Sequence, residues 1–449
     1  MTSNHGMSRR QALRLGLALG IAGPLASACG GGGGFSTSGG GGGGEGQLTF
    51  MSTQFTPVEE KERFRKILAE AYKGGSVNYV TNDPGPYSNQ VRSQVAAGKV
   101  EIHLLGGLHG DLAPLADGQL EDLTDFAKEL SDKGYADDFI ELSKAGTDRN
   151  WYIPWAQATY VVAVNKKALD HLPSGADVKD LTYDQFLEWA KAAKQATGAP
   201  QFGLPGGPKG LLHRFLQGYL YPSFTGGQVT SFRSDEATTM WSYLKELWAN
   251  CTPASTNFDF MQEPLAAGQV TVAWDHVARL INAPKDKPDD WMMVPAPKGP
   301  QGRGYMAVLL GLAIPKGAPN QDKTKELIKA LSDSKTQLEV LRQNAFFPTV
   351  KADIPSDLPP AVRLEADAVR AQAESSDTLV SLPPVGLGAK DGEMSKIFKD
   401  SFTAIVLQNA DIKSTLDAQA KNMQTLLDEA KASCWAPDDV QRGQTCRVG

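Results

Sequence analysis

From Gln47 onward, short apolar runs alternate with longer stretches in which apolar residues recur every three to four positions. This alternation predicts strands interleaved with helices, and therefore an α/β architecture. Leu48 to Ser52 reads as a strand. Thr56-Pro57-Val58-Glu59 then supplies a capping box with proline at the first helical position, and Phe64, Ile67, Leu68 and Tyr72 share one helical face before Gly74-Gly75 ends the element. Ser76 to Val80 is a second strand, Tyr87 to Ala97 a second helix closed by Gly98, and Ile102 to Leu105 a third strand. The loop Gly106-Gly107-Leu108-His109-Gly110-Asp111 follows its carboxyl end, the edge at which open α/β sheets bind ligands.

A second series begins near Trp151. Tyr160 to Val164 is an apolar strand, Thr182-Tyr183-Asp184-Gln185 caps a helix carrying Phe186, Trp189, Ala190 and Ala193, and Ser234 opens another through Trp241, Leu244 and Trp248. Val270 to Trp274 and Ala307 to Ile314 are predicted strands, and Thr324 to Leu331 and Ser414 to Ala430 predicted helices. No internal repeat is visible.

The first 45 residues follow a different logic. Ser8-Arg9-Arg10-Gln11-Ala12-Leu13 resembles the twin-arginine export motif, and Leu25-Ala26-Ser27-Ala28-Cys29 resembles a lipobox. The apolar run between them, Leu13 to Ala22, is shorter than the ~20 residues a bilayer span requires, so residues 1–28 read as a cleaved signal and Cys29 as the lipid-bearing residue. Gly30 to Gly34 and Gly39 to Gly44 have too little apolar surface for a core and make 29–46 a tether. A phosphate-binding reading of these glycines lacks the preceding strand and the following Lys-Ser or Lys-Thr.

Removing signal and tether leaves about 400 residues, enough for two cores. The chain is 41% hydrophobic with a net charge of −6, which argues against a nucleic-acid partner, since phosphate contacts need a concentrated basic surface. Of four cysteines, Cys434 and Cys446 can close a small loop in a C-terminal tail, 434–449, while Cys251 reads as a buried thiol. No paired Cys-x-x-Cys pattern suggests a metal, the six histidines are scattered, and no cofactor is expected. Nucleophile-elbow, zinc-protease, dinucleotide and nucleotide-binding signatures are missing, so the sequence does not read as an enzyme. Aromatic residues at strand and loop ends (Trp151, Tyr152, Trp155, Tyr219, Tyr221, Trp274) offer flat faces for pyranose rings beside polar groups for hydroxyls.

The chain resembles the extracellular solute-binding proteins of sugar-importing ABC transporters, the family of maltose- and multiple-sugar-binding proteins. The resemblance is carried by Ala97 to His103, Gly106 to Asp111, Leu120 to Leu123, Ile153-Pro154-Trp155 through Val164-Asn165-Lys166, and Leu181 to Trp189. It continues through Pro264 to Trp274 and Gly311 to Gly317. It implies an α/β, two-lobe periplasmic-binding-protein-like fold with a hinged interlobe ligand cleft. Lobe 1 would comprise 47–157 plus about 310–362, and lobe 2 about 161–304 plus 366–433, with crossings near Gln157 to Val161, Met306 to Leu310 and Arg363 to Asp367. The implied ligand-binding residues are Thr53, Gln54, His109, Asp111, Trp155, Gln157, His213, Trp274, Asp275, Gly304, Tyr305 and Phe398, with Trp274 the main stacking surface.

The function implied is that of a monomeric, non-catalytic lipoprotein, held on the outer side of the cell membrane by its lipid alone. It would deliver a di- or oligosaccharide to permease subunits served by a separate ATPase subunit. A glycerophosphodiester or other polar solute is the alternative ligand, for which Arg214 and Lys209 could serve. A polysaccharide-degrading enzyme would need converging carboxylates, for which Asp111, Asp275 and Glu263 are available.

Overall fold

The apolar run Leu48–Ser52 forms β1, buried on both faces, as the continuous hydrophobicity of an interior parallel strand requires. The computed structural model describes residues 47–449 apart from 56–57, 117, 388–389 and 439–443. The export motif, Cys29 and the glycine tether, like the Thr56-Pro57 start of the first helix, lie outside the described residues.

The strands are β1, β2 (Val77–Thr81), β3 (Leu104–Leu108), β4 (Ile153–Ala158), β5 (Tyr160–Asn165), β6 (Phe202–Gly203), β7 (Val272–His276), β8 (Trp291–Val294), β9 (Arg303–Tyr305), β10 (Val308–Ala313) and β11 (Thr378–Val380). One sheet has the order β2-β1-β3-β10-β4. Its first three strands are parallel, whereas β10 runs antiparallel to both β3 and β4. The second sheet has the order β6-β7-β5-β8, with β5 antiparallel to β7 and β8, and β9 pairs with β11 separately. Helix Val58–Ala71 packs beside β2, helix Tyr183–Thr197 sets Phe186 and Trp189 against Phe202 of β6, and helix Asp235–Ala249 packs behind it on other helices.

The chain passes from the first sheet to the second at Thr159, between β4 and β5, and returns to the first at Met306-Ala307, between β9 of the separate β9-β11 pair and β10. These passages are bonded to each other: the Thr159 hydroxyl donates to the Met306 carbonyl at 2.9 Å, and the Tyr219 hydroxyl lies 2.9 Å from the same Thr159 oxygen. Helix Pro360–Ala373 packs on β8 of the second sheet, where the Gln372 amide donates to the Tyr160 carbonyl at 3.1 Å while its oxygen accepts from Ala296 N–H at 2.8 Å. One apolar cluster continues beneath both sheets, from Leu48 and Phe50 through Ala156 and Val161 to Met293 and Val362. A second fills the lobe built on β5 to β8, and a third covers the remaining face of the first sheet.

Two elements differ from the sequence reading in a way that matters for the site. The third strand is Leu104–Leu108, so Gly106, Gly107 and Leu108 belong to it and the ligand-side loop starts at His109. The glycines pair with β10 (Gly106↔Leu312, Gly107↔Gly311), and a Cβ on Gly106 would stand 2.7 Å from the Phe50 ring. Glycine here serves close ring-to-backbone packing inside a strand, not a turn. The strand expected at Val270 to Trp274 is likewise Val272–His276, which takes Asp275 into the sheet.

Candidate functional site

The parallel strands β1 and β3 end side by side, and their carboxyl ends present Thr53, Gln54, His109 and Asp111. The Thr53 hydroxyl donates to Asp111 Oδ2 at 2.7 Å, and the Leu108 N–H donates to the same oxygen at 3.1 Å. Gln54 Nε2 in turn donates to the Thr53 hydroxyl at 3.1 Å. Burial raises the Asp111 pKa above the ordinary aspartate range; the two hydrogen bonds oppose this, and the Asp391 charge adds to it. Asp391, whose charge bears on Asp111, stands at the start of helix Asp391–Phe402.

Asp391 belongs to the second lobe's contribution. Its Oδ2 accepts from Arg214 Nη2 at 2.9 Å, and Arg214 Nη1 donates to Gln217 Oε1 at 3.0 Å. Arg214 also lies close enough to Tyr160 for its charge to lower the phenol against the stronger upward effect of burial. His213 beside it is buried and driven down to about 2, first by burial and then by Arg214, Lys399 and Arg279, so its ring is neutral.

His109 is enclosed as well. Its Nδ1 lies 2.7 Å from the Tyr152 hydroxyl, and burial lowers its pKa to about 4, which keeps it neutral at physiological pH. His109 Nε2, the Tyr87 hydroxyl and Gln217 Nε2 are buried without a hydrogen-bond partner among the described residues. The Tyr87 hydroxyl approaches both Gly107 and Asp111. Unpaired buried polar atoms are costly, and two of them, His109 Nε2 and the Tyr87 hydroxyl, lie beside Asp111 at the carboxyl end of β3, where a polar ligand could satisfy them.

The remaining expected residues lie elsewhere. Trp274 has no exposed surface: it stacks on Tyr160 (centroids 4.8 Å apart, planes at 4°) and is flanked by Phe215 and Tyr219. Asp275 is fully buried, pushed up to about 7 by that burial, and accepts backbone N–H bonds from Met261 at 3.0 Å and His276 at 2.8 Å. Trp155 packs with Phe55 and Phe64 inside the first lobe's cluster. Phe398 meets Tyr221 and Phe232 edge-on in the second lobe's core. Gln157 and Tyr305 meet at the passages between sheets, where the Tyr305 hydroxyl donates to Gln157 Oε1 at 3.3 Å. Gly304 N–H donates to the Ser223 hydroxyl at 2.8 Å, and its missing Cβ lets the Gly218 and Tyr219 backbone approach.

Sequence reasoning passed over Tyr87, Gln217, Asp391 and Trp435. Tyr87 and Asp391 could have been suspected as residues in the first turns of helices that follow loops; nothing local distinguishes Gln217 or Trp435. Among the described residues no group of histidine, cysteine or carboxylate side chains is arranged to hold a metal, and no helix is long and apolar enough to cross a membrane. The tail cysteines Cys434 and Cys446 form a disulfide with Cα atoms 4.6 Å apart, and Cys251 is a buried free thiol whose pKa burial pushes up to about 12.

The fold is similar to several solved structures. Maltose-bound T. maritima MalE3 matches with 21% identity and a TM-score of 0.65, over 85% of this chain and 100% of that one. UgpB from Mycobacterium tuberculosis in complex with glycerophosphocholine matches with 18% identity and a TM-score of 0.66, over 86% and 99%. The cyclic alpha-maltosyl-1,6-maltose binding protein from Arthrobacter globiformis matches with 14% identity and a TM-score of 0.64, over 85% and 99%. No curated protein matches the chain by sequence. The model of the bacterial extracellular solute-binding proteins matches residues 57–338, well over half of the 449, and the chain therefore belongs to that family.

Proposed function

We propose that this protein is the substrate-binding lipoprotein of an ABC importer and that its solute is a neutral carbohydrate, a di- or oligosaccharide. One observation carries the reading: Thr53, Gln54 and Asp111 stand at one set of strand ends within electrostatic reach of the Arg214–Asp391 pair, with the unpartnered His109 Nε2 and Tyr87 hydroxyl beside Asp111 and an unpartnered Gln217 Nε2 on the residue that Arg214 bonds. Such a set offers many hydrogen-bonding atoms while Arg214 is already neutralised by Asp391, which suits hydroxyl-rich ligands. The solved maltose complex among the fold's neighbours supports the same class. Lobes of 47–157 plus about 310–362 and 161–304 plus 366–433 would close on the sugar, because a ligand touching both lobes favours the closed state by its differential affinity. Lipidation at Cys29 would hold the protein at the outer membrane face, beside permease subunits powered by a separate ATPase subunit.

A second reading, a glycerophosphodiester, draws on Arg214, Arg279 and Lys399, whose charges all bear on His213, and on the glycerophosphocholine complex of the M. tuberculosis neighbour. Thermal-shift titration of mono-, di- and oligosaccharides beside glycerophosphodiesters separates the two, since only ligands of the native state raise the melting temperature. Asp111→Asn should abolish the sugar-induced shift while the unliganded protein melts normally. Stabilisation by phosphodiesters alone would replace the carbohydrate reading.

A further inference from the structure

We infer that the C-terminal tail is an interlobe latch, fastened to one lobe at several points and bolted into the other by Trp435. The fastening is extensive. Cys434 and Cys446, joined by the disulfide, are both buried in the second lobe's core cluster. The Asp438 carboxylate accepts backbone N–H bonds from Gln228, Val229 and Thr230, the last at 2.8 Å, and the Thr230 hydroxyl at 2.7 Å. Three successive amides converging on one carboxylate make an anion nest. A Cβ on Gly227 would stand 2.5 Å from that carboxylate, so the close approach depends on glycine. Gly449 exchanges backbone bonds with Val229 and Arg233, and the Val448 N–H donates to Gln424 at 3.0 Å.

The bolt points the other way. Ser433 pairs with Val385 in an antiparallel bridge, and Leu382 N–H donates to the Ala436 carbonyl at 3.0 Å, which holds the intervening Trp435 in place. Trp435 is buried in the apolar cluster that covers the first sheet and also takes in Leu382, with its ring 5.8 Å from that of His109. A tail whose anchors sit in one lobe while its largest apolar side chain sits in the other must lose that contact when the lobes part. Its insertion therefore favours the closed arrangement independently of any solute, and it does so next to His109, at the edge of the facing strand ends. The tail lies beyond residue 338, where the family match ends.

Small-angle X-ray scattering of the oxidised protein tests the latch without requiring the solute to be known. Trp435→Ala should shift the scattering toward a larger radius of gyration than wild type, and Trp435→Phe, which keeps an apolar ring, should largely restore it. The Cys434→Ser/Cys446→Ser double variant, which loosens the fastening but keeps the bolt, should shift in the same direction and carries the test if Trp435→Ala does not fold by near-UV circular dichroism. A folded Trp435→Ala protein, or failing that a folded double-serine variant, whose scattering superimposes on wild type would overturn the proposal.

Discussion

Glu365 is fully enclosed in helix Pro360–Ala373, with neither carboxyl oxygen bonded among the described residues, and burial holds its pKa well above the ordinary glutamate range. The folded state thus keeps a proton that the unfolded chain releases near pH ~4.3, so stability falls as pH rises from there toward the folded pKa. Asp275, raised to about 7 by burial, has the same sign: its contribution is fully present below the ordinary aspartate range and is lost as pH climbs to about 7. Glu365→Met removes two unpaired polar atoms at similar length and should stabilise the protein at pH 7.5, by roughly 1–3 kcal/mol. It should also flatten the decline in melting temperature above pH 5; calorimetry across that range decides, and an unchanged slope would show that Glu365 finds a partner in solution. Trp274→Ala is expected to cost about 3–5 kcal/mol of stability because the ring is enclosed by Tyr160, Phe215 and Tyr219. Urea unfolding measures this, and a loss under 1 kcal/mol would return Trp274 to a cleft-facing role. At this scale the position of Thr53 and Asp111 at neighbouring strand ends was legible, because strand ends in an α/β sheet advertise themselves. Trp274 and Phe398 were ambiguous because an aromatic residue in a strand or helix carries no local mark of which cluster its ring joins.

Helix starts were the most readable elements. Thr182 accepts from Gln185 N–H at 3.2 Å, while the Gln185 side chain accepts from Thr182 N–H at 3.0 Å, the reciprocal box that the sequence predicts for helix Tyr183–Thr197. Thr182→Ala should therefore cost about 1 kcal/mol. Replacement by Ser should restore most of it, as chemical denaturation would read; equal stability of Ala and Ser variants would assign the helix start to packing of Tyr183 and Phe186 instead. Ser234 likewise accepts from Ala237 N–H at 3.2 Å at the head of helix Asp235–Ala249. The shifted strands β3 and β7 were less readable because glycine and aspartate argue locally for turns, and only pairing with β10 and β5 overrides them. Helices Ser334–Asn344 and Pro360–Ala373 went unassigned although both carry an amphipathic period, and the second packs on β8 and β5.

For the whole molecule, the change of sheet at Thr159 was not legible from local pattern, since nothing in the run from Ile153 to Asn165 tells that β4 and β5, separated by Thr159 alone, belong to different sheets. The same architecture decides how binding should respond to salt. Arg214 is paired with Asp391 at 2.9 Å and has a side chain only 21% exposed, so it presents no free positive charge to an incoming solute. Lobe closure on a neutral sugar would exchange hydrogen bonds and bury surface without changing net charge. The dissociation constant of the preferred carbohydrate should then vary less than about twofold between roughly 0.05 and 0.5 M NaCl, a range over which the Debye length shrinks from about 14 to about 4 Å. A phosphodiester held by Arg279 and Lys399 would instead weaken steeply over that range. Isothermal titration calorimetry at both salt concentrations tests the point, and tenfold weakening of the preferred ligand would mean that these cations, and not the hydroxyl-bonding set around Asp111, define the solute.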